Sequence, residues 1–141
     1  MRKVSALLCV AAVAGCTSIQ VKPLDPAAPL KQVCIVENRR VEVTDFVDVL
    51  REGLDRHGIA SSVVASEGAT SCETTLTYTA LRTWDMAPYL SHAELRLWRD
   101  GRLMGAATYH LNGGGGLSLT KWQGTKAKMD PVIDQLLAGR Q

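Results

Sequence analysis

The chain has 141 residues, of which 46% are hydrophobic and 21% charged, and its formal net charge is +2. This composition is typical of one globular domain, and it excludes a disordered chain, a collagen-like or coiled-coil protein and a membrane protein with several spans. The small net charge also excludes a nucleic-acid-binding protein that works by counterion release.

The first fifteen residues have the pattern of a secretory signal peptide. Arg2 and Lys3 precede an apolar run about half as long as the roughly 20 residues of a membrane-spanning helix. The run ends at residues 13–16 in Val-Ala-Gly-Cys. This ending resembles the bacterial lipobox, in which small residues precede a cysteine that is acylated before the chain is cut in front of it. We therefore expect residues 1–15 to be removed and Cys16 to carry three acyl chains, palmitate among them.

Acylation of Cys16 predicts where the chain resides. One acyl chain holds a protein to a bilayer only marginally, whereas three anchor it almost permanently, at about 0.8 kcal/mol for each buried methylene. In Gram-negative bacteria an Asp after the cysteine retains a lipoprotein in the inner membrane, and this chain has Thr17 there. The expected location is the outer membrane, with the chain lipid-anchored on the periplasmic face. Without the signal the chain has 14 basic and 14 acidic residues and is formally neutral.

Cys34 and Cys72 are the cysteines that remain after cleavage without a lipid. Because the periplasm is oxidising, we expect a disulfide between them, which would close a loop of about 38 residues and stabilise the fold by roughly 3–4 kcal/mol. Cys72 has the parity of Leu76 and Tyr78, so we expect the bond on the side of the sheet that the helices cover. The alternatives are two buried free thiols or a metal pair, although neither a CxxC motif nor paired histidines accompany them.

Residues 16–30 are interpreted as the lipidated terminus and a tether. Pro23, Pro26 and Pro29, with few large apolar side chains between them, are typical of an extended linker that holds a domain away from a membrane. We place a single periplasmic domain over residues 31–141.

A strand and a helix are predicted at the start of this domain. An apolar, β-branched run at residues 33–36 predicts a buried strand. Thr44 is the expected N-cap of a helix in which apolar residues recur with helical spacing as far as Leu54. Gly58 is in position for the left-handed residue that ends a helix, and residues 59–65 then predict another strand.

Three more strands are predicted in the middle of the chain. Threonines alternate with apolar residues over residues 72–80, which is typical of a half-exposed strand. Alternation over residues 92–97 leads to Asp100-Gly101, a strong signal for a two-residue hairpin turn, and the returning strand covers residues 103–111.

The last segment predicts a second helix. Its helical spacing runs from Trp122 to Leu137 and stays in phase across Pro131, which favours one kinked helix that ends at Gly139. A separate helix capped by Asp130 is the alternative. The element order β-α-β-β-β-β-α predicts an α+β fold, with a mainly antiparallel sheet of four to five strands and two helices packed on one face.

Motifs of the common enzyme classes are absent from the sequence. The glycines at residues 113–116 lack the Gly-Lys-Ser/Thr ending of a P-loop, so we interpret them as a flexible or tightly turning connection. His57 suits a helix C-terminus. His92 and His110 fall on neighbouring strands and are interpreted as surface residues, with a metal site formed by the pair as the less favoured alternative. We therefore expect no catalytic residue, no metal and no cofactor.

Aromatic side chains near the connections are the least ordinary feature of the sequence. Trp84 and Tyr89 fall in the predicted loop around Pro88, Trp98 lies near the next hairpin, and Trp122 follows the glycine run. Such residues plug the end of a small core or form a binding surface, on peptidoglycan for example. Both interpretations stay open.

Three stretches resemble a known family: Leu76–Ala80, Tyr89–Leu95 and Tyr109–Gly116. Together with the lipobox, they are similar to small proteobacterial outer-membrane lipoproteins of unknown function. The resemblance implies an envelope location, and it brings no activity and no catalytic residues with it.

These features predict a non-catalytic envelope lipoprotein. Cys16 would anchor it in the membrane, and its small α+β domain would face an envelope protein or peptidoglycan, with no nucleic-acid partner. The alternative is a small periplasmic enzyme that acts on cell-wall or lipid substrates with His92 or His110 as acid–base. That alternative requires a cleft in which a carboxylate or a nucleophile lies beside the histidine.

Overall fold

The computed structural model describes residues 16–138, which contain six strands and two α-helices, with three short 3-10 helices in the connections. In chain order the strands and α-helices are β1 Thr17–Lys22, β2 Gln32–Val36, α1 Phe46–Arg56, β3 Ala60–Val64, β4 Thr74–Asp85, β5 Ala87–Arg99, β6 Arg102–Leu111 and α2 Thr125–Leu137. The expected signal peptide and the expected helix end at Gly139 lie outside the described residues.

The strands form one sheet in the order β1-β6-β5-β4-β2-β3. β2 pairs in parallel with β3 and with β4, and the remaining pairs are antiparallel. The α+β class and the two helices are confirmed, but the prediction of a mainly antiparallel sheet with four to five strands is wrong. The sheet is mixed because α1 carries the chain back across the sheet between β2 and β3, which makes these two strands parallel.

The sixth strand comes from the segment that we expected to be a free tether. Residues 17–22 form the edge strand β1, which pairs along its whole length with β6. Ile19 and Val21 pack against the core, and the following Leu24 and Leu30 are buried. The prolines therefore lie in a segment that is part of the domain, because the apolar side chains around them have contacts to make.

Both helices pack on the same face of the sheet, which we call the helix face. A shared apolar core lies between them and the strands, and it includes Leu50, Leu54, Leu76, Leu95, Leu97, Ile133, Leu136 and Leu137. On the opposite side, the open face, β4 and β5 present mainly polar side chains such as Thr77, Glu94 and Arg96. Burying one side only explains the alternation that the sequence shows in these strands.

Local turn and capping signals have mixed outcomes. Gly58 has a φ of 69° after α1, and Asp100 and Gly101 have φ values of 50° and 73° in a two-residue turn, so these predictions are confirmed. α2 is a single helix that contains Pro131, as expected. Thr44 is not the N-cap: α1 begins after Asp45, whose carboxylate accepts a hydrogen bond from the Thr125 hydroxyl and thereby joins the two helices.

The loop that we expected around Pro88 is regular structure instead. β4 continues to Asp85 and β5 begins at Ala87, so a tight turn at Met86 joins two long strands. A β-bulge after Leu81 shifts the register and breaks the alternation that would have revealed the strands.

Candidate functional site

β6 ends and β5 begins at one end of the sheet, which we call the Cys16 end. The Cys16 carbonyl accepts a hydrogen bond of 2.8 Å from the Asn112 amide. The Cys16 thiol sulfur lies 3.9 Å from the position that a Cβ on Gly116 would occupy. The expected lipidation site therefore lies directly beside the loop that follows β6.

Large apolar side chains are exposed at this end. Leu117 is fully exposed and Leu119 is 80% exposed in the loop after β6. Met86, at the tip of the β4–β5 turn, is 84% exposed, and Trp84 beside it is 71% exposed. Six large apolar side chains are exposed among the described residues. Four of the six, the ones just named, lie at the Cys16 end. Such clustering marks an interaction surface, whereas single exposed apolar residues need no explanation.

Met86 also has an unusual backbone conformation. Its φ of 60° lies in the left-handed region, which costs a non-glycine residue about 1–2 kcal/mol. The turn thus holds a large apolar side chain outward in a conformation that glycine would adopt more readily.

The glycine run forms a tight connection. Gly113, Gly114, Gly115 and Gly116 have φ values of 58°, 65°, 82° and 52°, all in the left-handed region. A Cβ on Gly115 would lie 2.8 Å from the Lys121 Cβ, so the loop passes too close for a side chain there. Of the two interpretations, tight turning is the one that the structure shows.

Two buried lysines hold this loop against the sheet. Lys121 forms a salt bridge with the Asp85 carboxylate and donates to the Gly116 carbonyl at 3.0 Å. The Lys128 ammonium donates to the carbonyls of Lys121 and Leu90. It also lies 5.3 Å from the centroid of the Tyr89 ring. These bonds join the exposed loop to α2 and to the β4–β5 hairpin.

Burial shifts two pKa values next to this loop. It lowers the pKa of Lys128 from 10.5 to about 8, because the charged ammonium loses water contacts. It raises the pKa of Tyr109 from 10.0 to about 12, and a hydrogen bond with Thr17 opposes that rise. Our sequence analysis missed both lysines, although Lys128 occupies an apolar position in the spacing Thr125, Lys128, Met129, Val132.

The structure brings together three of the four aromatic residues that we singled out. Trp84 is exposed, whereas Tyr89 is buried and donates its hydroxyl to the Gly114 carbonyl at 3.1 Å. Trp122 packs partly on the core, and its indole N–H donates to the Asp85 carbonyl at 2.9 Å. Trp98 lies at the other end of the sheet, where its N–H donates to Thr77. Tyr89 and Trp122 thus help to close the core, and Trp84 is free to contact a partner.

We call the other end of the sheet the disulfide end. Cys34 and Cys72 form the expected disulfide, with their Cα atoms 6.2 Å apart. Cys34 is in register with Thr75, and Ile35 with the core residue Leu76, so Cys34 lies on the open face. The expected position on the helix side is wrong. Cys72 stands before β4 begins, so strand parity does not determine which side it faces.

A depression of about 710 Å³ lies beside the disulfide and is open to solvent. Arg99 lines it and donates to Thr74 and to the Pro29 carbonyl at 3.0 and 2.6 Å. Its guanidinium is therefore occupied by structural contacts.

His92 and His110 form a cross-strand pair on the open face, which we call the histidine pair. Their Nδ1 atoms are 3.2 Å apart, and the other ring nitrogen of His92 lies 3.2 Å from a Glu94 carboxylate oxygen. The carboxylate that the enzyme alternative requires is therefore present, but His110 is exposed and the rings lie on a sheet surface. His57 lies at the end of α1, and its Nε2 is 2.8 Å from an Asp134 carboxylate oxygen.

Within residues 16–138 no helix is long and apolar enough to cross a membrane. The same residues contain no group of three or more His, Cys, Asp or Glu side chains arranged to hold a metal ion.

Comparison with known proteins gives a fold likeness. No family model and no curated protein matches the chain. Among solved structures, the PelC dodecamer from Paraburkholderia phytofirmans is similar, with a TM-score of 0.56 and 17% identity over 88% of this chain and 98% of that one. A leucine-to-methionine variant of the same dodecamer gives a TM-score of 0.57 and 15% identity over 86% and 96% of the two chains. At this identity the likeness concerns the fold alone.

Proposed function

We propose that this chain is a non-catalytic, outer-membrane-anchored lipoprotein whose Cys16 end lies on the membrane surface. The observation that carries the proposal is the position of Cys16 beside Gly116, at the same end as Leu117, Leu119, Met86 and Trp84. An acyl chain on Cys16 and the exposed apolar side chains would enter the same bilayer without any rearrangement of the domain.

The energetics support a combined anchor. Full burial of one leucine, methionine or similar side chain contributes about 1.5–3 kcal/mol, so a few such side chains give weak, reversible membrane binding. Acylation adds about 0.8 kcal/mol for each buried methylene and dominates the affinity. The exposed side chains would therefore orient the domain, and the lipid would retain it.

Vesicle flotation of a Cys16→Ser chain that begins at residue 16 tests the orientation, because this protein lacks both the acyl chains and the expected signal peptide and keeps the surface. We expect weak binding to phospholipid vesicles that Leu117→Ser and Leu119→Ser together reduce. Val63→Ser is the matched control, because Val63 is an exposed apolar residue on the edge strand β3. Equal flotation of all three proteins would contradict the proposed membrane surface.

We propose a second copy of this chain as its first partner in the envelope. The support is the likeness to a PelC structure described as a dodecamer, together with an open sheet face that no helix covers among the described residues. Sedimentation of the acylated protein in detergent tests this. A mass of several chains is expected, and a strictly monomeric protein at all concentrations would refute self-association.

The enzyme alternative has one observation in its favour, the Glu94 carboxylate beside His92. The open surface around the rings argues against it, because acid–base catalysis works best where water is excluded. Purified protein that releases no product from peptidoglycan or phospholipid would exclude this alternative for those substrates.

A further inference from the structure

We propose that the histidine pair is a binding site for a divalent transition metal ion, Cu²⁺ or Zn²⁺, with open coordination positions. The inference does not depend on the membrane surface proposed for the Cys16 end, because it concerns the open face of the sheet. It departs from the sequence analysis, which interpreted His92 and His110 as surface residues.

The two rings approach each other at their Nδ1 atoms. His92 and His110 are directly opposite each other in the β5–β6 register, so both side chains leave the sheet on the same face. Their planes meet at 70° with centroids 5.3 Å apart, so the rings are not stacked. Their Nδ1 atoms lie 3.2 Å apart.

This separation suits two ligands of one metal ion. Zinc–nitrogen bonds of about 2.0–2.1 Å place two nitrogens of a tetrahedral site about 3.3–3.4 Å apart, and neighbouring nitrogens of a square-planar site about 2.9 Å apart. The observed 3.2 Å lies between these values. Small rotations of the two rings would fit either geometry.

Glu94 gives the pair a defined orientation. Its carboxylate lies 3.2 Å from His92 Nε2, and its other oxygen accepts from Arg96 at 3.1 Å. An ionised carboxylate only accepts hydrogen bonds, so neutral His92 carries its proton on Nε2 and its lone pair on Nδ1. A carboxylate behind a metal-binding histidine fixes the tautomer and raises the basicity of the ligating nitrogen.

Metal binding replaces the proton that the pair shares. Without metal, His110 donates from Nδ1–H to the lone pair of His92. On binding, one metal–nitrogen bond forms at each Nδ1, and the proton of His110 moves through solvent to its Nε2, so the two neutral rings lose no proton. Since the described residues bring no third side-chain ligand to the pair, water completes the coordination sphere.

Imidazole nitrogen suits copper, nickel and zinc, and Cu²⁺ binds a given nitrogen site most tightly among these ions. Calcium and magnesium prefer oxygen ligands and should not compete. The expected affinity order is thus Cu²⁺ above Zn²⁺, with negligible binding of Mg²⁺.

Calorimetric titration of the full chain tests the site. The protein is prepared in detergent without a polyhistidine tag, its free thiols are alkylated, and CuCl₂, ZnCl₂ and MgCl₂ are added in turn. We expect His92→Gln and His110→Gln each to weaken Cu²⁺ and Zn²⁺ binding by more than roughly tenfold, and Glu94→Gln to weaken it by roughly tenfold. His57→Gln is the matched control and should bind as the wild type does, since His57 lies at the end of α1.

Electron paramagnetic resonance of the Cu²⁺-loaded wild type gives a readout that does not depend on how the variants fold. Hyperfine splitting from two imidazole nitrogens is expected. A spectrum without them, wild-type affinity in both histidine variants, or no saturable binding of either metal would each overturn the proposal.

Discussion

Leu117 and Leu119 are exposed at the Cys16 end of the sheet, whereas the disulfide end exposes the charged side chains of Lys31, Glu73 and Arg102. Hydrogen bonds and buried lysines hold the Cys16 end together, while a covalent bond between Cys34 and Cys72 holds the other. The contacts at the Cys16 end thus keep an apolar surface in place. The disulfide at the other end keeps the parallel strands attached to the antiparallel part of the sheet.

Loss of the lipid anchor is the largest effect that we expect from a single substitution at the Cys16 end. We predict that Cys16→Ser abolishes acylation and leaves the precursor uncleaved by the lipoprotein signal peptidase. Metabolic labelling with a clickable fatty acid measures this directly. Equal labelling of wild type and variant would mean that the lipid is attached elsewhere, and the Cys16 end would lose its proposed role.

Breaking the disulfide should lower the stability of the fold but leave the membrane surface at the Cys16 end in place. Replacing both Cys34 and Cys72 by alanine releases a loop that spans 38 residues, and it should lower the free energy of unfolding by roughly 3–4 kcal/mol. We expect a lower melting temperature but a folded protein that still floats with vesicles. A melting temperature unchanged by the double substitution, or by a reducing agent, would contradict this prediction.

These two ends also differ in how much the sequence could predict. Gly58, the Asp100-Gly101 turn and the Cys34–Cys72 bond follow from local patterns or from compartment chemistry, and the structure contains all three. Pairings between distant segments were beyond local patterns. β1 lies directly before the prolines of the predicted tether, and its partner β6 comes much later in the chain.

At the Cys16 end, local sequence patterns gave wrong predictions, because the burial and exposure of side chains there depend on contacts between segments that are distant in the chain. The sequence predicts a loop at Trp84 because a β-bulge interrupts the alternation of its strand. Lys121 and Lys128 were overlooked because lysine is a surface residue by default, and only the carbonyls and carboxylate that the fold brings to them make their burial tolerable.

The buried ammonium group of Lys128 should make the free energy of unfolding depend on pH. Since its folded pKa of about 8 lies below the ordinary value of 10.5, the unfolded chain binds more protons between these values, and stability rises with pH there. The slope is at most about 1.4 kcal/mol per pH unit. Urea unfolding between pH 7 and about pH 10 should show this rise in the wild type and not in Lys128→Met.

Lys126→Met is the matched control for that experiment. Lys126 lies on the same helix, is exposed, and has a pKa raised by hydrogen bonds to Glu52 and Asp130. Its contribution is present below its ordinary pKa and is lost only at higher pH, so the variant should keep the rise. Measurements stay below about pH 10 because ionisation of Tyr109, whose pKa is raised to about 12, favours the unfolded chain above its ordinary value.

The glycine run offers a smaller perturbation of the Cys16 end. Gly115→Ala combines a positive φ with a Cβ that would lie 2.8 Å from the Lys121 Cβ, and it should destabilise by about 2–3 kcal/mol. Gly113→Ala has the same backbone cost but no neighbour within 4 Å, so about 1–2 kcal/mol is expected. Equal melting temperatures would show that the loop relaxes freely around residue 115.

The smallest expected effects come from the indole N–H groups of Trp122 and Trp98, one at each end. Each makes a single hydrogen bond, to the Asp85 carbonyl at 2.9 Å and to the Thr77 hydroxyl at 3.0 Å, respectively. Replacement by phenylalanine removes the donor and should cost about 1 kcal/mol in either case. Vesicle flotation of the Cys16→Ser chain that begins at residue 16 should nevertheless separate the two tryptophan variants. Trp122→Phe loosens the contact between the β4–β5 turn and the loop that carries Leu119 and should weaken flotation, whereas Trp98→Phe should leave it unchanged. The reverse result would place the membrane surface at the disulfide end.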